Sequence, residues 1–210
     1  AGPGSHCREP VPGKSLKPTS MRLFIAINVP KKERTRIFRA ARKLRDEDFP
    51  VRWVEPDLFH LTLKFLGEVR SASLPTVERV MEEVATSTGA FQMEIGGFGA
   101  FPTIRKPRVL WVGVDPSPAL RCLKQDLEWA LSDHGFDRET RAFHPHFTLG
   151  RATSQDGAGA FRGLDELAAD LDYQGEVKVW KVDLMESHLS SSGPRYEILS
   201  SFPLKGPQGR

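Results

Sequence analysis

Apolar positions along the chain follow two alternating rhythms, and the order of their alternation predicts an α+β fold. Residues 22–28 form a short apolar run closed by Val29 and Pro30, as a buried strand would be. Ile37, Ala40, Ala41 and Leu44 then recur at i, i+3, i+4 and i+7 among lysines and arginines, which predicts one amphipathic helix. Residues 51–54 and the segment PDLFHLTLKFLGEV read as a strand pair around a turn at Pro56 and Asp57. Ser73 and Pro75 open a second helix whose stripe is Val77, Val80, Met81 and Val84, stopped by Gly89. Residues 91–95 are a strand running into GGFGAFPT, where Gly96, Gly97 and Gly99 permit a bulge or a close backbone approach. That stretch lacks the Lys-Ser/Thr ending of a phosphate-cradling loop and opens no helix. Residues 107–114 are a strand, and Pro118 opens a helix with Leu120, Leu123, Leu127 and Leu131 on one side, ended by Gly135. A strand in FHPHFTLGR follows, then a helix over 164–171, a strand over 177–186 and a last strand over 195–202.

A tetrapeptide recurs within this order. His60-Leu61-Thr62-Leu63 in the first half is nearly copied as His146-Phe147-Thr148-Leu149 in the second. Side chains alternate along a strand, so each His and Thr share one face, while Leu61 with Leu63, and Phe147 with Leu149, share the other. One such pattern is uninformative, because a strand histidine is more often a half-exposed or satisfied residue than a catalyst. Two copies with matched apolar partners, each inside a similar series of strands and helices, form a weak internal repeat. Two lobes related by an approximate two-fold axis would bring the strands face to face, each His-Thr pair lining one cleft from opposite walls.

Composition narrows the class. The 210 residues are 39% hydrophobic and 27% charged, ordinary for a globular protein with a sizeable core. The formal charge is +3, but residues 1–20 hold Arg8, Lys14 and Lys17 against Glu9, a surplus of two that leaves about +1 for the rest. Bulk charge therefore does not announce a nucleic-acid binder, and an anionic partner must be held by a local patch. Residues 1–20 read as a cloning remnant and flexible leader, residues 21–205 as one bilobal domain and 206–210 as a tail, with Met21 the natural start. No stretch is apolar for long enough to span a membrane. The two cysteines, Cys7 and Cys122, give neither a disulfide framework nor a metal-binding spacing, so the chain is expected to be cytosolic.

Imidazole titrates near neutrality, so of two histidines flanking a phosphorus one can be neutral and the other protonated. The first can take a proton from a nucleophilic water and the second can give one to the oxygen that leaves. Threonine hydroxyls are uncharged donors suited to non-bridging phosphate oxygens, where a carboxylate would repel the substrate. No convincing set of carboxylates or cysteines accompanies the histidines, which argues against a metal site.

PDLFHLTLKFLGEV and HPHFTLGR resemble the paired His-x-Thr-x motifs of the two-histidine (2H) phosphoesterase superfamily. Within it the chain is similar to the RNA 2',3'-cyclic phosphodiesterases first named 2'-5' RNA ligases, the LigT-like family. RLFIAINVP and GPRYEIL are similar to that family's terminal segments, so the likeness spans nearly all of residues 21–205. The resemblance implies a bilobal 2H phosphoesterase fold, with two pseudo-symmetric lobes of antiparallel sheet, outer helices and a central cleft. It implies no metal and no cofactor, and opening of a terminal 2',3'-cyclic phosphate to a 2'-phosphate, with reversible 2'-5' joining as a side reaction. The expected partners are RNA ends bearing that cyclic phosphate, tRNA fragments among them, and nucleotides; the expected state is a monomer. On this resemblance His60 is the proton donor to the departing 3' oxygen and His146 the proton acceptor for water, a distinction the near-symmetric copies do not themselves make. Thr62 and Thr148 match the motif's phosphate-holding hydroxyls. Arg151 matches the family's arginine after the second motif, yet simple alternation puts it on the face opposite His146, so it reaches the phosphate only if Gly150 breaks the strand.

Further candidates carry plainer explanations beside the functional ones. Lys64 shares the predicted face of His60 and Thr62 and is either an RNA-backbone contact or a solvated strand lysine. Phe24, Trp53 and Phe65 are base-stacking candidates or core residues. Arg105, Lys106 and Arg108 suit an RNA backbone or a charged surface turn. His144 is a loop residue before Pro145 rather than a metal ligand, His134 ends a helix, and His6 and His188 fall in leader and loop-like sequence. Two other classes stay open: a non-catalytic nucleotide-binding module, and a phosphodiesterase for small cyclic nucleotides or oligoadenylates.

Overall fold

The structure, a computed structural model, describes residues 20–153, 159–190 and 193–206. The expected leader and tail lie outside these, except Ser20, which opens the first strand, and Gly206. In chain order the strands are β1 (Ser20–Ile27), β2 (Val51–Trp53), β3 (Leu61–Arg70), β4 (Phe91–Thr103), β5 (Lys106–Val114), β6 (His146–Ala152), β7 (Gln174–Val179), β8 (Lys181–Ser190) and β9 (Gly193–Pro203). The helices are α1 (Lys31–Ala40), α2 (Arg42–Asp46), α3 (Leu74–Ser87), α4 (Pro118–Ser132) and α5 (Leu164–Ala169).

The strands form one curled sheet in the order β7-β4-β5-β6-β3-β1-β8-β9, with β2 alongside β6. Every pairing between these strands is antiparallel. One lobe is β7-β4-β5-β6 and the other is β3-β1-β8-β9, joined at the pair Leu61 and Phe147. Apolar residues that alternation assigns inward, Leu23, Ile25 and Ile27 of β1 and Leu61 and Leu63 of β3, are buried in a core that continues across the seam to Phe147 and Leu149.

The helices form where the apolar stripes predict. Val77, Val80, Met81 and Val84 of α3 are buried, as are Leu120, Leu123, Leu127 and Leu131 of α4. Ser117 caps α4 by accepting from the Leu120 amide at 3.4 Å, Pro118 occupies the first turn, and Gly135 follows the helix with φ 86°.

Four sequence expectations are corrected. The helix expected through Ile37 and Leu44 is broken at Ala41, because Arg45 Nη2 donates to the Phe38 carbonyl at 2.8 Å, an oxygen that a continuous helix keeps for the amide four residues on. β2 does not pair with β3 but with β6, since the Pro56–Leu58 3-10 turn carries the chain to the same edge of β6 further along. The strand expected over 177–186 is two strands parted at Trp180: β7 pairs with β4 and β8 with β1, so the chain changes lobe there. Consequently the lobes are not the two halves of the sequence, because β4 and β5 join β6 while β8 and β9 return to β1. Among the described residues no helix is long and apolar enough to cross a membrane.

Candidate active site

The first tetrapeptide runs into β3 and the second opens β6, and the two strands meet edge to edge rather than across a gap. Leu61 pairs with Phe147, so the antiparallel register sets His60 beside Thr148 and His146 beside Thr62. Side chains directly opposite in such a pair sit about 5 Å apart at Cβ. Leu61 and Phe147 are buried, and the two histidines and two threonines, all half-buried, occupy the other face. The expectation of opposite walls is thereby corrected: four polar side chains share one concave face at the lobe seam.

Both imidazoles are held in the same way. His60 Nδ1 lies 2.8 Å from the Leu58 carbonyl and His146 Nδ1 lies 2.7 Å from the His144 carbonyl, each two residues back along the chain. A carbonyl only accepts, so Nδ1 carries hydrogen in both rings and Nε2 is left as the titrating atom. Burial lowers the His60 imidazole below its ordinary value; the charges of Arg151 and His146 add to this and the Leu58 bond opposes it. Burial likewise lowers His146, with Arg151 adding and the His144 carbonyl opposing. One guanidinium therefore acts on both rings.

Arg151 reaches this face through a bulge. Trp111 pairs with Thr148 and Leu110 with Gly150, which leaves Leu149 as an extra residue on β6. Leu149 and Gly150 are both buried, and alternation restarts with Arg151 exposed. The break that Arg151 required is present, displaced by one residue from Gly150 itself.

The same device operates after the first motif. Ala26 pairs with Thr62 and Ile25 with Lys64, so Leu63 is the extra residue on β3. Lys64 is consequently 3% exposed and faces α4, where its ammonium pairs with Glu128 and donates to the Asp137 carbonyl at 2.7 Å. Burial opposes ionisation of Glu128, yet the ammoniums of Lys124 and Lys64 hold its carboxyl below the usual range. Lys64 is thus neither an RNA contact nor a solvated lysine, because the bulge turns it away from the cleft.

Phe65 takes the place that Arg151 takes on the other strand, and it is 71% exposed. Phe24 is 2% exposed and lies under the site, its ring 5.0 Å from His60 and 6.0 Å from Phe65. It supports the imidazole rather than offering a stacking face. Tyr196 of β9, not singled out from the sequence, stands edge-on to His60 at 4.9 Å. Phe101 and Trp111, also missed, lie 5.0 and 6.3 Å from the His146 ring. The glycine-rich run was their signal: a Cβ on Gly99 would lie 2.4 Å from the Trp111 ring, so glycine there lets the indole lie flat across β4. The register break between Ile95 and Phe98 supplies the bulge that Gly96 and Gly97 permit.

Other candidates lie elsewhere. Trp53 packs half-buried over Gly150, and Arg105, Lys106 and Arg108 flank the exposed β4–β5 turn. His188 is in β8 rather than a loop, with Nε2 3.6 Å from both Glu186 and Glu197. His134 sits 3.4 Å from Arg79. His6 is outside the described residues. Among the described residues no three His, Cys, Asp or Glu side chains lie close enough together to hold a metal ion.

The family described as LigT like Phosphoesterase matches residues 27–111 and again 112–196, one match for each tetrapeptide. An RNA 2',3'-cyclic phosphodiesterase of Methanothermobacter thermautotrophicus is 32% identical over 186 residues, covering 88% of this chain and 99% of that protein. One from Aeropyrum pernix is 37% identical over 152 residues, covering 71% and 84%. Among solved structures, a Thermus thermophilus protein superposes with a TM-score of 0.74 at 27% identity, covering 90% of this chain and 100% of that one. LigT of E. coli in complex with 3'-AMP superposes with a TM-score of 0.71 at 26% identity, covering 88% and 98%.

Proposed function

This chain belongs to the LigT-like phosphoesterase family, and from that premise we propose that it hydrolyses the 2',3'-cyclic phosphate at RNA ends to a 2'-phosphate without a metal. One observation carries the proposal: two imidazoles, each tied at Nδ1 to a carbonyl, present Nε2 beside the partner strand's threonine on one face. His146 takes the proton of the attacking water as its oxygen bonds to phosphorus. His60 gives a proton to O3' as the P–O3' bond breaks. Thr62 and Thr148 donate to the non-bridging oxygens, and Arg151 neutralises the charge that develops on them. After turnover the two rings have exchanged protonation states, and solvent resets them.

Phe65, exposed and 6.0 Å from the Phe24 ring that underlies His60, offers a stacking face for the terminal base. Running the step backwards with a 5'-hydroxyl in place of water requires the same acid and base, so 2'-5' joining belongs to the same site. His60, Thr62, His146, Thr148 and Arg151 all come from one chain, which supports reading the enzyme as a monomer. The test is single-turnover hydrolysis of an oligonucleotide cyclic phosphate in the presence of EDTA. Wild-type protein is expected to remain fully active and His60→Ala and His146→Ala to lose most turnover. Full activity in either variant, or loss of wild-type activity to EDTA, overturns the mechanism. A nucleotide-binding module would bind and release the cyclic phosphate unchanged.

A further inference from the structure

Each imidazole has its own aromatic neighbourhood. At His60 the rings are the buried Phe24 and the half-buried Tyr196, 5.0 and 4.9 Å away. Beside His146 lies a cavity of about 170 Å³ walled by Phe101, Trp111, Phe143, His144, Pro145 and the His146 ring itself. This is smaller than the roughly 300–1,000 Å³ of sites for drug-sized ligands and suits one flat ring system. Phe101, Trp111 and Phe143 give the walls flat apolar faces on which a ring can stack. A terminal cyclic phosphate brings one nucleoside, and water needs no aromatic pocket.

We infer that this cavity is the binding subsite for a second nucleoside, the one whose 5'-hydroxyl replaces water at the phosphorus. The assignment depends on the phosphodiesterase function just proposed. In an in-line displacement the incoming oxygen lies opposite the departing O3', on the side of His146, so a group seated against the His146 ring is attached to the attacker. The 5'-oxygen bonds to phosphorus while its proton passes to His146 Nε2. The P–O3' bond breaks as O3' takes the proton held by His60. The product is a 2'-5' phosphodiester with a free 3'-hydroxyl, and no other reactant is consumed. The nucleotide upstream of the cyclic phosphate is attached through C5' of the terminal ribose and not through the attacking oxygen.

The experiment is turnover of cytidine 2',3'-cyclic phosphate with increasing adenosine, separating cytidine 2'-phosphate from the 2'-5' dinucleotide. The joined product is expected to saturate with adenosine and to exceed, by more than tenfold, the ester formed from an equal concentration of ethanol, which carries no base. Phe143→Ala is expected to lower the ratio of joining to hydrolysis about tenfold. His144→Ala, on an exposed loop side chain whose carbonyl still serves His146, is expected to lower it two- to threefold if Phe143→Ala does not fold. Equal yields from adenosine and ethanol, or a linear dependence on adenosine, overturn the subsite. So does a rise in KM for a dinucleotide cyclic phosphate, which would seat the upstream base in the cavity. If the wild-type protein hydrolyses nothing, the failure lies with the phosphodiesterase function; calorimetric titration with adenosine alone then decides the subsite, binding weakened by Phe143→Ala supporting it and no binding overturning it.

Discussion

Strands β3 and β6 carry one tetrapeptide pattern and one bulge, yet the residues after the bulge differ in kind. On β3 the extra Leu63 sends Lys64 into the core and Phe65 to the cleft. On β6 the extra Leu149 buries Gly150 and sends Arg151 to the cleft. The repeat therefore places two equivalent imidazoles and then breaks its own symmetry, with an aromatic face on one side and a cation on the other. A cyclic nucleotide has a flat base and an anionic phosphate, and under the proposed function the two strands would divide that recognition between them.

The largest expected effect tests whether the imidazoles are equivalent. Each alanine substitution at His60 or His146 is expected to cost about 100- to 10,000-fold in single-turnover rate, the range for general acid or base catalysis. A 3'-thio analogue, whose sulfur departs without a proton, should restore much of the rate to His60→Ala and little to His146→Ala. Equal rescue of both would make the two roles interchangeable.

Lys64→Met comes next and reads stability. Removing one partner of a buried ion pair is strongly destabilising, and because Lys124 still holds Glu128 the loss is expected at the low end, about 3 kcal/mol by urea denaturation. A change below about 0.5 kcal/mol, typical of a surface residue, would return Lys64 to the cleft.

Arg151→Met is expected to cost about 1.5–3 kcal/mol of transition-state stabilisation, as for hydrogen bonds to a charged group. It also has a pH signature. Burial first, then Arg151, lowers both imidazoles below 6.5, so the base is neutral and the free enzyme competent down to a lower pH than an unperturbed histidine allows. Without the guanidinium both rings rise, and the acid limb of the kcat/KM profile moves to higher pH. A profile that keeps its position places Arg151 away from the rings. In the wild type, the bound anion should raise both rings, so the kcat profile lies at higher pH than that of kcat/KM.

Phe65→Ala is the smallest. One-sided stacking is expected to contribute about 1 kcal/mol, seen as a several-fold rise in KM for cytidine 2',3'-cyclic phosphate with kcat little changed. An unchanged KM would place the base elsewhere.

Alternation made the His and Thr positions legible because both motifs lie before their bulges, where the two-residue period still holds. It misplaced Lys64 and Arg151 because a bulge is a property of a pair of strands: Leu63 is extra only with respect to Ile25 and Ala26, and Leu149 only with respect to Leu110 and Trp111. The partners of the glycine run were hidden for the same reason. Gly99 announced a close approach, and Trp111, on the neighbouring strand, supplied the ring.

What the order of residues carried was local: which stretches are strands and helices, which faces are apolar, and the chemistry latent in two His-Thr pairs. Periodicity and side-chain chemistry act over a few residues and need no partner. The meeting of β3 with β6 at Leu61 and Phe147, the change of lobe at Trp180 and the turning of Lys64 inward arose from strand pairing between distant segments. Pairing satisfies backbone hydrogen bonds that are alike at every residue, so the register follows from the packing of the whole sheet rather than from any one strand.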